Sequence, residues 1–346
     1  MMEKTFKNPI FENGADPWLY KHQNGCYYFM ITLHDRIELW CSRCITGVSG
    51  AERKTIWTVA PTGPCSKNIW APEIHFINDK WYVYFTANDG GGDETRKIFV
   101  LENESEDPMN GPWTEKGAVN TQYPGLDGTV LQHDRELYFL YAGYGNFPDY
   151  GSAIYIAKMI NPWTLTGDNI LLTKPEFDWE RQGGMAINEG PAILKRNGRL
   201  FIIYSASTTW TEDYCLGMLS ASDNCNLLSK DSWIKSHRPV FKKSIKNQVV
   251  APGHNSFVKS PDDKEDWIIF HGISDSRGQN LNTDSRSTWA QPFYWNSNGY
   301  PEFGEPISRN TELRKPSGEV KAVYCICRAG KGGDCMTSIE NANDSS

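Results

Sequence analysis

Residues 187–207 read INEGPAILKRNGRLFIIYSAS, and they set Glu189 directly ahead of a buried-looking strand pair. The apolar segment "AIL" is followed by a turn at "KRNGR" and then by the strand "LFIIYSAS". A carboxylate at the mouth of such a hairpin is costly unless it has a partner or a task. The same arrangement recurs four more times: "ADPWLYKHQNGCYYFMIT" from Ala15, "APEIHFINDKWYVYFTA" from Ala71, "LDGTVLQHDRELYFLYAG" from Leu126 and "PGHNSFVKSPDDKEDWIIFHGIS" from Pro252. Each copy opens on a polar or ionisable residue: Asp16, Glu73, Asp127, Glu189 and His254. Each continues through a short apolar strand, a tight Asn, Asp or Gly turn, and a run of aromatic and β-branched residues, which is hairpin chemistry.

The starts recur every ~55–65 residues, leaving room for two more strands per unit. Helical periodicity is largely absent between about residues 8 and 307. Units of roughly four strands, none able to bury both faces alone, predict an all-β radial array with five copies: a five-bladed β-propeller. Its first strands would line a central channel and bring the five heading residues to one axis.

Composition is that of a globular chain, with 39% hydrophobic and 22% charged residues in 346. The formal charge of -7 argues against a phosphate-backbone binder, so no nucleic-acid partner is expected. No apolar run reaches the ~20 residues of a membrane span. The start, "MMEKTFKNPIF", lacks the apolar centre of a signal peptide. The expected location is therefore cytoplasmic, or extracellular if a leader has been removed. Most of the 13 Trp and 16 Tyr are expected in sheet packing, with a few left over as platforms for the C–H faces of sugar rings. Cys41-Ser-Arg-Cys44 has the spacing of half a zinc site, with no second half downstream.

Two carboxylates facing each other across a pocket suit glycosidic bond cleavage: one protonates the leaving oxygen, the other activates water. A third nearby raises the acid's pKa by like-charge repulsion. His254 on the axis could bind a cation or an ordered water and offset the crowded negative charge.

Taken in order, "ADPW" (15–18), "WAPEIHF" (70–76), "LDGT" (126–129), "NEGP" (188–191) and "GHNSF" (253–257) resemble glycoside hydrolase family 43. The resemblance covers the chain to about Arg309. It implies a five-bladed propeller with its active site at the central channel, and an inverting reaction. Carried over by motif, Asp16 is the general base, Glu189 the general acid and Asp127 the residue that tunes the acid. His254 matches an axial histidine that in many members contacts a bound calcium or its waters; no cofactor is implied for the chemistry itself. "YPGLDGTVLQ", "GGMAINEGPAIL" and "DSRSTWAQPFYWNSNGYPEFGEP" look most like the exo-acting α-L-arabinofuranosidases. These trim terminal arabinofuranose from arabinan and arabino-oligosaccharides, here expected of a monomer with no membrane partner. A β-xylosidase or endo-1,5-α-L-arabinanase on the same scaffold is the nearest alternative, and a non-catalytic sugar-binding propeller the more distant one. Trp70 resembles a residue of the sugar pocket, and Arg286 a late arginine near the acid and the sugar hydroxyls. Trp210 and Tyr214 are expected at the pocket mouth, with Glu73 lining the pocket. The domain boundary is placed at residue 309. Residues 310–346, polar and bearing Cys325, Cys327 and Cys335, are expected to form a largely disordered tail.

Overall fold

The computed structural model describes residues 5–146, 149–274 and 285–319. A two-residue strand β1 (Thr5–Phe6) precedes five consecutive antiparallel sheets of four strands each. They are β2–β5 (Trp18–Lys21, Tyr27–Met30, Arg36–Ser42, Glu52–Thr58), β6–β9 (Lys67–Ile77, Lys80–Asn88, Lys97–Asn103, Thr114–Ala118) and β10–β13 (Gly125–His133, Glu136–Gly143, Ala153–Asn161, Thr164–Thr173). The last two are β14–β17 (Asn188–Arg196, Arg199–Ala206, Cys215–Ser222, Ile234–Lys235) and β18–β21 (Val249–Lys259, Asp266–Ser274, Ser287–Trp295, Pro301–Glu302). The first strands touch in a closed circle, β2 to β6, β10, β14, β18 and back to β2. The fold is a five-bladed β-propeller, as the repeat predicts.

Local chemistry explains the hairpins. Asn78-Asp79, Asp134-Arg135 and Asn197-Gly198 are two-residue turns with both residues at positive φ, the geometry that matches strand twist. Each blade buries both faces against its neighbours. One apolar cluster joins each adjacent pair: Tyr28 and Trp81 between the first two blades, Tyr84 and Phe139 between the next, then Leu140 with Ile202, Phe201 with Phe270, and Phe29 with Trp267 closing the circle. Trp40, Trp81, Trp267 and Trp289 are fully buried, which accounts for much of the aromatic content as packing.

Residues 8–11 close the ring on the free edge of β20. Phe11 bridges Thr288, and the Asn8 side chain imitates a strand backbone by exchanging two 2.9 Å hydrogen bonds with Ala290. β1 pairs with β22 (Leu313–Arg314). The expected tail therefore needs a correction over residues 310–319. Besides the β1–β22 pair, Ser317 donates to Asp262, and buried Glu319 accepts from the Thr46 amide at 3.0 Å and hydroxyl at 2.6 Å. Cys325, Cys327 and Cys335 lie outside the described residues.

At the head of each first strand one residue takes positive φ: Asp16 (52°), Ala71 (44°), Asp127 (54°), Gly190 (53°) and His254 (45°). Four carry a Cβ, and such conformations persist only where surrounding contacts enforce them. The backbone thus supplies the fivefold register that the motifs follow only approximately. In the second blade the equivalent residue is Ala71, and Glu73 sits two residues further along β6.

Candidate active site

Four elements converge on Asp16. Thr32, just past β3, donates from Oγ1 to Asp16 Oδ2 at 2.7 Å. Arg286 Nη1 donates to Oδ1 at 2.9 Å, and the ring nitrogens of His254 and His271 lie 3.4 and 3.2 Å from the same oxygen. The Asp16 amide donates to His271 Nδ1 at 3.2 Å, so that nitrogen is the acceptor and the proton sits on Nε2, which finds no protein partner among the described residues. Burial raises the Asp16 pKa, but opposing influences led by the Arg286 guanidinium hold the carboxylate well below its usual range. Burial in turn depresses both histidines, His271 to about 4, so each is neutral near pH 7. The His254 ring itself carries no charge there, and the protein's counter-charge beside Asp16 is the Arg286 guanidinium.

Glu189 is the opposite case. Burial is the largest influence and lifts its pKa to about 7, opposed by the Tyr214 hydroxyl, which donates to Oε1 at 2.7 Å, and assisted by repulsion from Asp16. The lift comes from desolvation more than from like-charge repulsion by a neighbouring carboxylate. Tyr214 is fully buried and stacks on His271 at 5.4 Å between centroids, so it lies packed behind Glu189 and not at the pocket mouth. Gly253 makes room for it, since a Cβ there would stand 2.3 Å from the tyrosine ring.

Asp127 donates its amide to Thr86 Oγ1 at 3.0 Å and accepts the Gly190 amide on Oδ2 at 2.9 Å. Burial, followed by repulsion from Glu189, Asp16 and Glu73, pushes its pKa well above the carboxylate range. Two carboxyls raised and one lowered within one channel mouth divide proton-bearing and proton-accepting roles between them.

Glu73 is buried at 3% exposure and bonds to Thr129 and to His75 Nε2, the latter at 3.1 Å. Burial raises the glutamate and lowers His75 to about 3, so the contact joins neutral groups and is not an ion pair. Trp70 stands next to Ala71 with the Arg96 guanidinium 3.8 Å over its ring, and Arg96 in turn is held by Asp93. Trp210 is half exposed in the connection from β15 to β16, at the end of the blade that carries Glu189. Arg286, matched by resemblance to a residue near the acid, makes its hydrogen bond to Asp16.

His271, Thr32 and Arg96 escaped the sequence reading. The first two carried a signal, because aligning the second strands of the hairpins puts Thr32 and His271 in one column. Arg96 is reached only by a loop whose path depends on Asp93.

Among the described residues no group of three or more His, Cys, Asp or Glu side chains is arranged to hold a metal ion. Calcium prefers six to eight oxygen ligands, whereas His254 offers one ring nitrogen. The described residues do not fit a directly caged cation. Nor is any helix among them long and apolar enough to cross a membrane.

The chain is 42% identical over 310 residues to the extracellular exo-alpha-(1->5)-L-arabinofuranosidase of Streptomyces avermitilis, covering 88% of this chain and 64% of that relative. It thus spans a little under two thirds of that protein's length. A Streptomyces chartreusis enzyme of the same name is 42% identical over 77% of this chain and 82% of its own. The crystal structure of an alpha-L-arabinofuranosidase from Lactobacillus brevis superposes with a TM-score of 0.83 at 39% identity, covering 88% of this chain and 98% of that one. The sequence pattern of glycosyl hydrolases family 43 matches residues 6–301, and with the propeller and its acidic channel mouth this places the chain in that family.

Proposed function

We propose that the chain is an inverting, exo-acting α-L-arabinofuranosidase that releases terminal arabinofuranose from α-1,5-linked arabinan and arabino-oligosaccharides. The observation that carries this reading is the opposed pair: Asp16 held ionised by Arg286 and Glu189 lifted to about 7 by burial, at the mouth of one channel. In the reaction, water attacks the anomeric carbon and gives its proton to Asp16, while Glu189 protonates the departing oxygen as the glycosidic C–O bond breaks. Inversion needs the two carboxyls ~6.5–9.5 Å apart to admit the water. Asp127 keeps the backbone beside Glu189 in place through the Gly190 amide. Both chemical roles are filled by protein carboxyls, so no metal step is required. Trp70 with Arg96 above it, Arg286 and half-exposed Trp210 are assigned to sugar binding, with Trp210 outermost; Glu73 supports the floor. His254 belongs to the Asp16 cradle, and a cation beside it would be held through water. The similarity to enzymes named extracellular favours action outside the cell.

Product analysis by NMR on arabinotriose and linear arabinan tests this. The expected products are single arabinose units from chain ends, appearing first as the β-anomer. Oligomers released from within the chain, or xylose from xylobiose with no arabinose, would replace the reading by the endo-arabinanase or the xylosidase.

A further inference from the structure

Five backbone amides, those of the positive-φ residues heading the first strands, form a girdle around the channel mouth. Each faces the second strand of the preceding blade. There, one column of residues lies opposite the position just before each head: Thr32 opposite Ala15, Thr86 opposite Trp70, Ala142 opposite Leu126, Ser205 opposite Glu189 and His271 opposite Gly253. Four of the five side chains accept the next blade's head amide. Thr32 takes Ala71 at 2.8 Å, Thr86 takes Asp127 at 3.0 Å, Ser205 takes His254 at 2.8 Å and His271 takes Asp16 at 3.2 Å. The third blade breaks the pattern. Ala142, fully buried, has no acceptor to offer, and the Gly190 amide is taken instead by Asp127 Oδ2 at 2.9 Å. A buried amide left without an acceptor is costly, so the gap has to be filled by some other group. The group that fills it is the carboxyl of a site residue, and the amide it holds belongs to the residue that follows Glu189.

We infer that Ala142 is a positioning residue. By withholding a hydroxyl at one of five equivalent places it obliges Asp127 to hold the Gly190 amide, and this clamp sets where Glu189 stands. A serine or threonine at 142 would complete the girdle as in the other blades and release Asp127 from the backbone. The side chain at 142 therefore decides whether the third carboxyl is tethered.

A stability cycle over wild type, Ala142→Ser, Asp127→Ala and the double variant tests the clamp without reference to any substrate. In the wild-type background the serine competes with Asp127 and should lower Tm. In Asp127→Ala, whose Gly190 amide has lost its acceptor, the same serine should raise Tm by about 2–4 °C. Equal shifts in both backgrounds would overturn the inference; a double variant that folds where Ala142→Ser alone does not would support it. Amide exchange gives a second measure. Gly190 protection should fall at least tenfold in Asp127→Ala while that of His254, held by Ser205, stays, and unchanged protection at Gly190 would overturn the clamp. The placement of Glu189 rests on the acid role proposed above and is read from rates. Ala142→Ser should lose about tenfold or more in kcat on arabinobiose and much less on an aryl arabinoside whose leaving group departs unprotonated. Equal losses on both would overturn the positioning role. A wild-type chain that releases no arabinose would sink the substrate reading and leave the stability cycle to decide the clamp.

Discussion

Removing one hydroxyl, in Tyr214→Phe, is expected to extend activity to higher pH. In the acid role proposed for it Glu189 must carry its proton, so kcat/KM should decline as pH rises through its pKa of about 7. The Tyr214 hydroxyl donates to Glu189 Oε1 at 2.7 Å and favours the ionised form, holding that pKa below where burial alone would put it. A hydrogen bond to a charged group contributes about 1.5–3 kcal/mol. At about 1.4 kcal/mol per pKa unit, its loss should move the alkaline limb up by about one to two units. Only one oxygen is removed and the ring still stacks on His271, so the fold should hold. The assay is the pH dependence of kcat/KM on arabinotriose between pH 5 and 10 for both proteins, with arabinose release quantified directly. A limb that stays put or moves down would mean that the hydroxyl favours the protonated carboxyl, and the account of how Glu189 is tuned would be wrong.

The same carboxyl should mark stability. Its pKa rises from 4.5 to about 7 on folding, so its contribution is complete below pH 4.5 and is lost as pH climbs through 7. Wild type should therefore weaken by about 3 kcal/mol relative to Glu189→Gln between those limits, as followed by denaturant unfolding; parallel curves would contradict it. Arg286→Ala removes the principal counter-charge of Asp16, whose pKa should climb. An acid limb absent from wild type should then appear above pH 4 in the rate profile, and its absence would take Arg286 out of that role. Gly253→Ala should press a methyl into the Tyr214 ring and cost about 1–3 kcal/mol of stability together with the acid's tuning; a variant with wild-type kinetics would show the contact to be slack. Chelation should leave kcat intact, because base and acid are both side chains. A loss of turnover restored by calcium would show that the chemistry needs the ion after all.

The blade count was legible because hairpin chemistry repeats: Asn78-Asp79, Asp134-Arg135 and Asn197-Gly198 announce turns without any tertiary knowledge. Asp16 and Asp127 could be picked out as ionisable residues at matching places, with Glu189 one residue ahead of its blade's equivalent, Gly190. Glu73 was aligned with them because its letter is acidic, whereas the backbone equivalent is Ala71, whose positive φ leaves no mark in composition. The position of Tyr214 was not legible either. Its connection from β15 is anchored on the fifth blade, where the Ala251 amide donates to the Glu212 carbonyl, and its burial depends on a glycine from that blade. The main cause of the raised Glu189 pKa is equally hidden from the sequence, since desolvation depends on packing depth that a linear string does not contain.

The seam where residues 8–11 lie along β20 has a temporal consequence. Asp16 is separated from His254, His271 and Arg286 by some 240 to 270 positions, and these partners come from the blade that joins it across that seam. On the proposed roles, a growing chain that has completed four blades holds Glu189 but lacks the partners that keep Asp16 ionised. Turnover by that route would wait for the last blade to dock, and the first molecule of sugar released would report that the circle is whole.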